Sequence, residues 1–251
     1  MEYFALTVLG LCIGSFANVC IHRLPRGQSL WSPPSHCPSC QTPIPWFDNI
    51  PLISYLLLKG RCRQCRENIS PRYPIVEFLC GALWLLTGLE TQMQYAALIP
   101  GLFLVTILLI AAFTDLDCRQ IPNEVTITLV IAGLALAFWN PGLGETGPGR
   151  IMNSLGGLAW GGGLLWATGA AGERVFKKEA MGGGDIKLAA GIGAILGWKG
   201  TVIAMVISSF LGALCGLLLI WGGKIQKRDY IPFGPFLSLG GLIVWLLPGL
   251  K

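Results

Sequence analysis

Six uncharged runs, at 3–21, 91–114, 125–144, 151–172, 200–223 and 230–250, are each long enough to cross a bilayer core as a helix. Inside lipid a backbone N–H or C=O finds no water, so runs of this length leave the α-helix as the form that satisfies them internally. Two weaker segments fill the gaps. The segment 73–89 carries one acid, Glu77, near its start, and 185–198 has 14 residues, about 21 Å of helix. The fold class expected is an all-α polytopic membrane protein, with about eight transmembrane helices and one small polar domain after the first. With 53% hydrophobic and 12% charged residues the chain has no soluble alternative. Its 34 glycines suit helices packed closely in lipid.

Orientation follows from the basic residues. Placing the first loop in the cytosol and alternating from there puts all 18 of them inside except Arg150, Lys199 and Lys251. Among the inside set are Lys177 and Lys178 after the run 151–172, and Lys224, Lys227 and Arg228 before Tyr230. The N- and C-termini then lie outside. The net charge of +5 reports topology and suits contact with anionic lipid heads, and no motif for reading nucleic acid is present. Met1-Glu2 brings no basic region before the first apolar run, so 3–21 reads as a retained helix.

The polar piece between the first two helices, 23–72, is too small for a strong core and needs a staple. Cys37-Pro38-Ser39-Cys40 and Cys62-Arg63-Gln64-Cys65 supply it as two C-x-x-C knuckles 21 residues apart, close to the spacing of a four-cysteine zinc ribbon. Two disulfides are the alternative, but the charge rule puts the loop in a reducing compartment, which favours zinc. Four thiolates leave no open position for water, so the metal is expected to fold the domain and not to catalyse. Cys12, Cys20, Cys80, Cys118 and Cys215 fall in or beside apolar helices and read as packing residues. Ser15 and Asn18 share a helix face and are expected to bond a neighbouring helix.

The run Gly182-Gly183-Gly184-Asp185 sets a carboxylate at the mouth of an apolar helix. As an N-cap, Asp185 needs no glycines beside it. Three of them let another backbone approach the acid closely, which favours a working role. The short helix 185–198 is expected to end within the membrane at its acid end, with Lys199 anchoring the other. A second acid is needed for chemistry without a metal. Asp115, directly after the apolar run 91–114, is the candidate; Asp117 reads as solvated or paired with Arg119. Glu77, in the first turn of its helix, either pairs with Arg72 or supports the site. The loop from Glu173 to Glu179 reads as solvated.

Several further stretches fall in order along the chain. They are Gly14-Ser15-Phe16-Ala17-Asn18-Val19, the two cysteine pairs, Arg72-Tyr73-Pro74-Ile75-Val76-Glu77, Asp115-Leu116-Asp117 with Ile121-Pro122-Asn123, Met181-Gly182-Gly183-Gly184-Asp185-Ile186-Lys187-Leu188, and Pro232-Phe233-Gly234-Pro235-Phe236. Together they resemble the type IV prepilin peptidases, membrane aspartic proteases of the G-x-G-D kind that process pilins and the pseudopilins of type II secretion. The resemblance covers nearly the whole chain.

What the resemblance implies is a protease of the bacterial inner membrane, acting at the cytosolic face. It would remove a short basic leader from substrates with an apolar N-terminal helix, then methylate the new N-terminus with S-adenosylmethionine. Carried over by position, the catalytic pair is Asp115 and Asp185, with Gly182, Gly183 and Gly184 beside it and Glu77 and Lys187 as candidates for support. The four-cysteine loop places the chain with the bifunctional branch. That branch often has Gly-Lys-Cys at positions linked with methyl transfer, and here the residues are Gly60-Arg61-Cys62. The expected division is a first helix at 1–22, a zinc domain and methyltransferase part at 23–72, and a seven-helix protease core at 73–251. The rival from another class is an ion- or proton-coupled transporter using the same two acids.

Overall fold

The apolar runs fold as helices, and among the described residues there is no strand. The computed structural model describes residues 1–177, 181–223 and 231–250. Lys178, Glu179, Lys224, Lys227, Arg228, Tyr230 and Lys251, which enter the charge and loop expectations above, lie outside the described residues. Four helical stretches, Glu2–Arg26, Arg72–Glu90, Tyr95–Cys118 and Gly183–Trp221, are long and apolar enough to cross a membrane, and Asn123–Ala137 and Gly234–Leu246 are shorter apolar helices. The chain divides into two compact units, Met1–Leu89 and Glu90–Lys251.

The first unit holds α1 (Glu2–Arg23), the short α2 (Ile53–Leu57) and α3 (Arg72–Glu90). Small residues let α1 and α3 touch: a side-chain carbon at Gly14 would sit 2.8 Å from the Glu77 Cα, and one at Gly81 would sit 2.7 Å from Leu11. This is the packing that membrane helices use in place of a hydrophobic driving force. Asn18 donates to the Tyr73 carbonyl of α3 at 3.0 Å, and the Ser15 hydroxyl bonds Glu77, so both expected interhelical contacts form.

The second unit holds α4 (Tyr95–Cys118), α5 (Asn123–Ala137), α6 (Gly147–Phe176), α7 (Gly183–Trp221) and α8 (Gly234–Leu246). Its centre is α7, which is not one rod. Gly197 has φ 72° and ψ 177°, outside helical values. A side-chain carbon at Gly161 would touch both Ala189 and, at 3.1 Å, Thr201. A straight helix would hold those two residues about 18 Å apart. The chain therefore turns back at Gly197, and the arms 183–196 and 198–221 lie side by side against α6.

The turn exposes helix ends that need partners. Ser154 donates to the Ala194 carbonyl at 2.7 Å and Asn140 to the Ile195 carbonyl at 3.0 Å. The Asn153 side-chain oxygen accepts from the Trp198 N–H at 3.1 Å. The run 125–144 keeps helical form only to Ala137, because Pro141 has no N–H with which to continue it, and the break frees Asn140 for this capping role. Similarly α4 starts at Tyr95, after Gln92 and Met93 adopt left-handed φ values of 48° and 59°.

Candidate active site and metal centre

Asp115 lies in the last turn of α4, not in a loop after it, since the Arg119 N–H still bonds the Asp115 carbonyl at 2.9 Å. A carboxylate at a helix C-terminus faces the unfavourable end of its own helix dipole. The start of α8 offsets this: the Gly234 N–H donates to Asp115 Oδ2 at 2.9 Å. Only glycine allows that approach, because a Cβ at 234 would stand 2.7 Å from the same oxygen. Gly234 is thus part of the site. In the sequence it was visible only as the centre of Pro232-Phe233-Gly234-Pro235-Phe236.

Asp185 sits third in α7, and its carboxylate does not cap the helix. The N-cap is Gly182, which makes no side-chain cap bond. Asp115 and Asp185 are 3% and 5% exposed, and Asp185 Oδ1 has no hydrogen-bond partner among the described residues. Ile121, in the connection after α4, is the floor on which both helix starts close. A Cβ at Gly184 would lie 3.1 Å from the Ile121 Cβ, and one at Gly234 would lie 2.9 Å from its Cδ1. Two buried acids thus meet the N-terminal ends of two helices, each end favouring negative charge.

The three glycines before Asp185 are not equivalent. Gly184 is packed on Ile121, a Cβ at Gly182 would stand 3.3 Å from Asp185 Oδ2, and one at Gly183 would meet none of the described residues within 4 Å. Lys187 donates to the Asn123 side chain at 2.6 Å, tying the start of α7 to that of α5. Glu77 belongs to the first unit, where its Oε2 accepts from the Leu52 N–H at 2.9 Å.

Cys37, Cys40, Cys62 and Cys65 bring their sulfurs within 4.8 Å of one another, and Cys37 and Cys65 are 3.8 Å apart. Four sulfurs about 2.3 Å from a tetrahedral zinc are about 3.8 Å from each other, so the set fits that ion. All nine cysteines are free thiols, so neither knuckle is a disulfide. The two knuckles have the same form. Cys37 and Cys62 bond Thr42 and Glu67 across isolated bridges, and Gln41 and Arg66 take φ values of 59° and 63°. A hydrogen bond with the Thr42 side chain brings the Cys40 thiol down to about 6 and the backbone N–H groups of Cys65 and Gln64 lower that of Cys62, while, against a backbone bond at Glu67, desolvation and the neighbouring thiols push Cys65 up to about 12, so the four share protons unevenly until a metal takes their place. Asp48 grips Arg63 of the second knuckle at 2.7 and 2.6 Å. Gly60 and Arg61 precede that knuckle; Gly60 has φ 67° and abuts the Tyr55 ring. Of the other cysteines, Cys20 and Cys80 are buried as expected of packing residues, but Cys12 is exposed.

Comparison with known proteins gives two family matches. The bacterial peptidase A24 N-terminal domain matches residues 8–91, and the type IV leader peptidase family matches 102–217. A prepilin leader peptidase/N-methyltransferase of Aeromonas salmonicida (strain A449) is 36% identical over 273 residues, covering 97% of this chain and 90% of the relative. One of the same name from Neisseria gonorrhoeae is 32% identical, covering 95% and 88%. One from Myxococcus xanthus (strain DK1622) is 40% identical over 86% of this chain, which spans 62% of that relative's length. No solved structure matches.

Proposed function

The chain belongs to the type IV leader peptidase family, and on that premise we propose that it cleaves the leader of prepilins or pseudopilins with Asp115 and Asp185, then N-methylates the new terminus. The single observation that carries the proteolytic half is the meeting of two buried carboxyl groups over Ile121, at the starts of α7 and α8. Two carboxylates that close cannot both ionise cheaply, so they share a proton. The ionised member takes a proton from water as it attacks the scissile carbonyl. The protonated member donates to the oxygen on which charge develops. The side of Gly183, where no described residue stands within 4 Å of a Cβ, is where the extended leader junction approaches.

The protein is a multi-pass membrane protein, and the reading places it in the bacterial inner membrane with eight crossings, counting the two arms of α7 separately. The basic residues put the knuckles and both acids on the cytosolic face, and lipids surround the core. Zinc is held by Cys37, Cys40, Cys62 and Cys65 and folds the region 23–72, the methyltransferase part; 73–251 is the protease core. S-adenosylmethionine supplies an electrophilic methyl group on a sulfonium. Glu77 and Lys187 act as positioning residues, through Leu52 and Asn123, and Gly60 and Arg61 belong to the methyl-transfer part. A transporter gains no support from the relatives.

Purified enzyme incubated with a full-length prepilin and S-adenosylmethionine is the test, read by mass spectrometry. Loss of the leader and gain of one methyl group are expected. Cleavage that survives in Asp185→Ala would overturn the acid pair.

A further inference from the structure

In the first unit a cleft of about 400 Å³ opens between α1 and the loops around the first knuckle, a volume suited to a small-molecule ligand. Ser15, Arg23, Trp31, Pro33, Asn49 and Pro51 are among its walls. Trp31 is 90% exposed at the cleft, an indole face that no other described side chain covers. Arg23 is buried, and bonds to the Ser29 and Pro33 carbonyls at 2.9 and 2.7 Å fix its guanidinium while using two of its five N–H donors. Behind Ser15 and Pro51 stands Glu77, nearly buried, held by the Ser15 hydroxyl and the Leu52 N–H.

The backbone at Leu52 is unusual. It has φ 60° and ψ −48°, and the Ile53 N–H bonds the Pro51 carbonyl at 2.6 Å. That is a γ-turn of the rare, strained hand, in a bulky residue. Strain of this kind persists where the surroundings impose it, and here it aims an N–H at a carboxylate beside a cleft.

We propose that this cleft seats S-adenosylmethionine, with the adenine on Trp31, the α-carboxylate toward Arg23 and the sulfonium toward Ser15 and Glu77. The inference rests on the methyl-transfer half of the proposed function. Its basis is charge complementarity: a fixed cation on the cleft wall and an acid one side chain behind it, bonded to the Ser15 that lines it, match a ligand carrying both signs, and an exposed indole matches a flat base. The same geometry gives Gly60 a role. A Cβ at Gly60 would stand 3.0 Å from the Tyr55 hydroxyl, so the glycine seats α2, and α2 begins with the Leu52 turn that orients Glu77. Gly60 is then a positioning residue for the donor site without lining it.

The test is equilibrium binding of radiolabelled S-adenosylmethionine to the full-length, zinc-loaded enzyme in nanodiscs, with leader cleavage measured on the same samples. Trp31→Ala is expected to weaken binding by about tenfold or more, Trp31→Phe to restore most of it, and both to cleave prepilin normally. Ultraviolet cross-linking of the label should fall on peptides covering 12–35 or 49–51. Unchanged affinity in Trp31→Ala, or label in other peptides, overturns the cleft assignment and leaves methyl transfer standing. Competition by anionic lipid with no dependence on Trp31 also overturns it, making the cleft a headgroup site. If the wild-type enzyme binds no S-adenosylmethionine at all, the methyl-transfer reading falls together with this one.

Discussion

The cysteine knuckles and the acid pair are held in place by opposite means. Each knuckle is a local object: backbone bonds between residues nine apart or fewer shape it, and its surroundings leave Trp46 and Phe47 largely exposed. The acid site is assembled from residues 115, 121, 184, 185 and 234, far apart in sequence, and it is buried. A region without a core depends on its staple, whereas a region built by packed helices keeps its shape when a functional group is removed. Damage should therefore unfold the first and merely silence the second.

The largest effect should come from the staple. Zinc contributes about 10–16 kcal/mol to the folding of free zinc-finger peptides, so Cys40→Ser or strong chelation should abolish metal binding and open 23–72 to protease. Metal analysis and limited proteolysis check this, and a protease-resistant, metal-free loop would erase the contrast. Next comes Asp185→Asn, expected to slow leader cleavage in single-turnover assays by on the order of 10⁴-fold or more. Its melting temperature should hold or rise, because the substitution replaces a buried acid, costly to ionise in that position, with a neutral amide of the same shape. A fall of several degrees would show the acid to be structural.

A pair of glycine variants sharpens the comparison within the acid site. Gly234→Ala must displace Asp115 and should cost roughly ten- to a hundredfold in cleavage, the loss expected when an acid–base group is misplaced. Gly183→Ala has open space and should change stability by less than about 1 kcal/mol. The smallest effect belongs to Asp48→Asn. A hydrogen bond from Arg63 holds the Asp48 carboxyl below its usual range, so this pair, its Arg63 side exposed and its Asp48 side chain covered, is present at neutral pH and is lost as acid carries the carboxyl down through that lowered value. Slightly faster proteolysis of the knuckle region at pH 7 is the expected readout.

The sequence was legible where one short stretch carried the whole signal. Eight apolar segments and two C-x-x-C pairs can be read from spacing, and each has a helical or clustered counterpart. Asp185 stood out because charge and glycine are both costly where it sits. Gly234 did not, since its role exists only when α8 meets α4, and no local pattern encodes a backbone N–H aimed at an acid 119 positions away. Ser154, Asn140 and Asn153 were equally silent: each looks like an ordinary polar residue until the turn at Gly197 presents carbonyls and an N–H to them. The matching shape of the two knuckles was hidden by their different residues, because the left-handed φ values of Gln41 and Arg66 belong to the turn that closes each knuckle and not to the propensity of either residue.

That reversal at Gly197 gives Asp185 a half-length helix, rooted in three polar side chains at one end and stayed by Lys187 and Ile121 at the other. A strut pinned at both ends resists tilt. The acid it carries therefore has its position set by fixed neighbours, as no loop of the same length could set it.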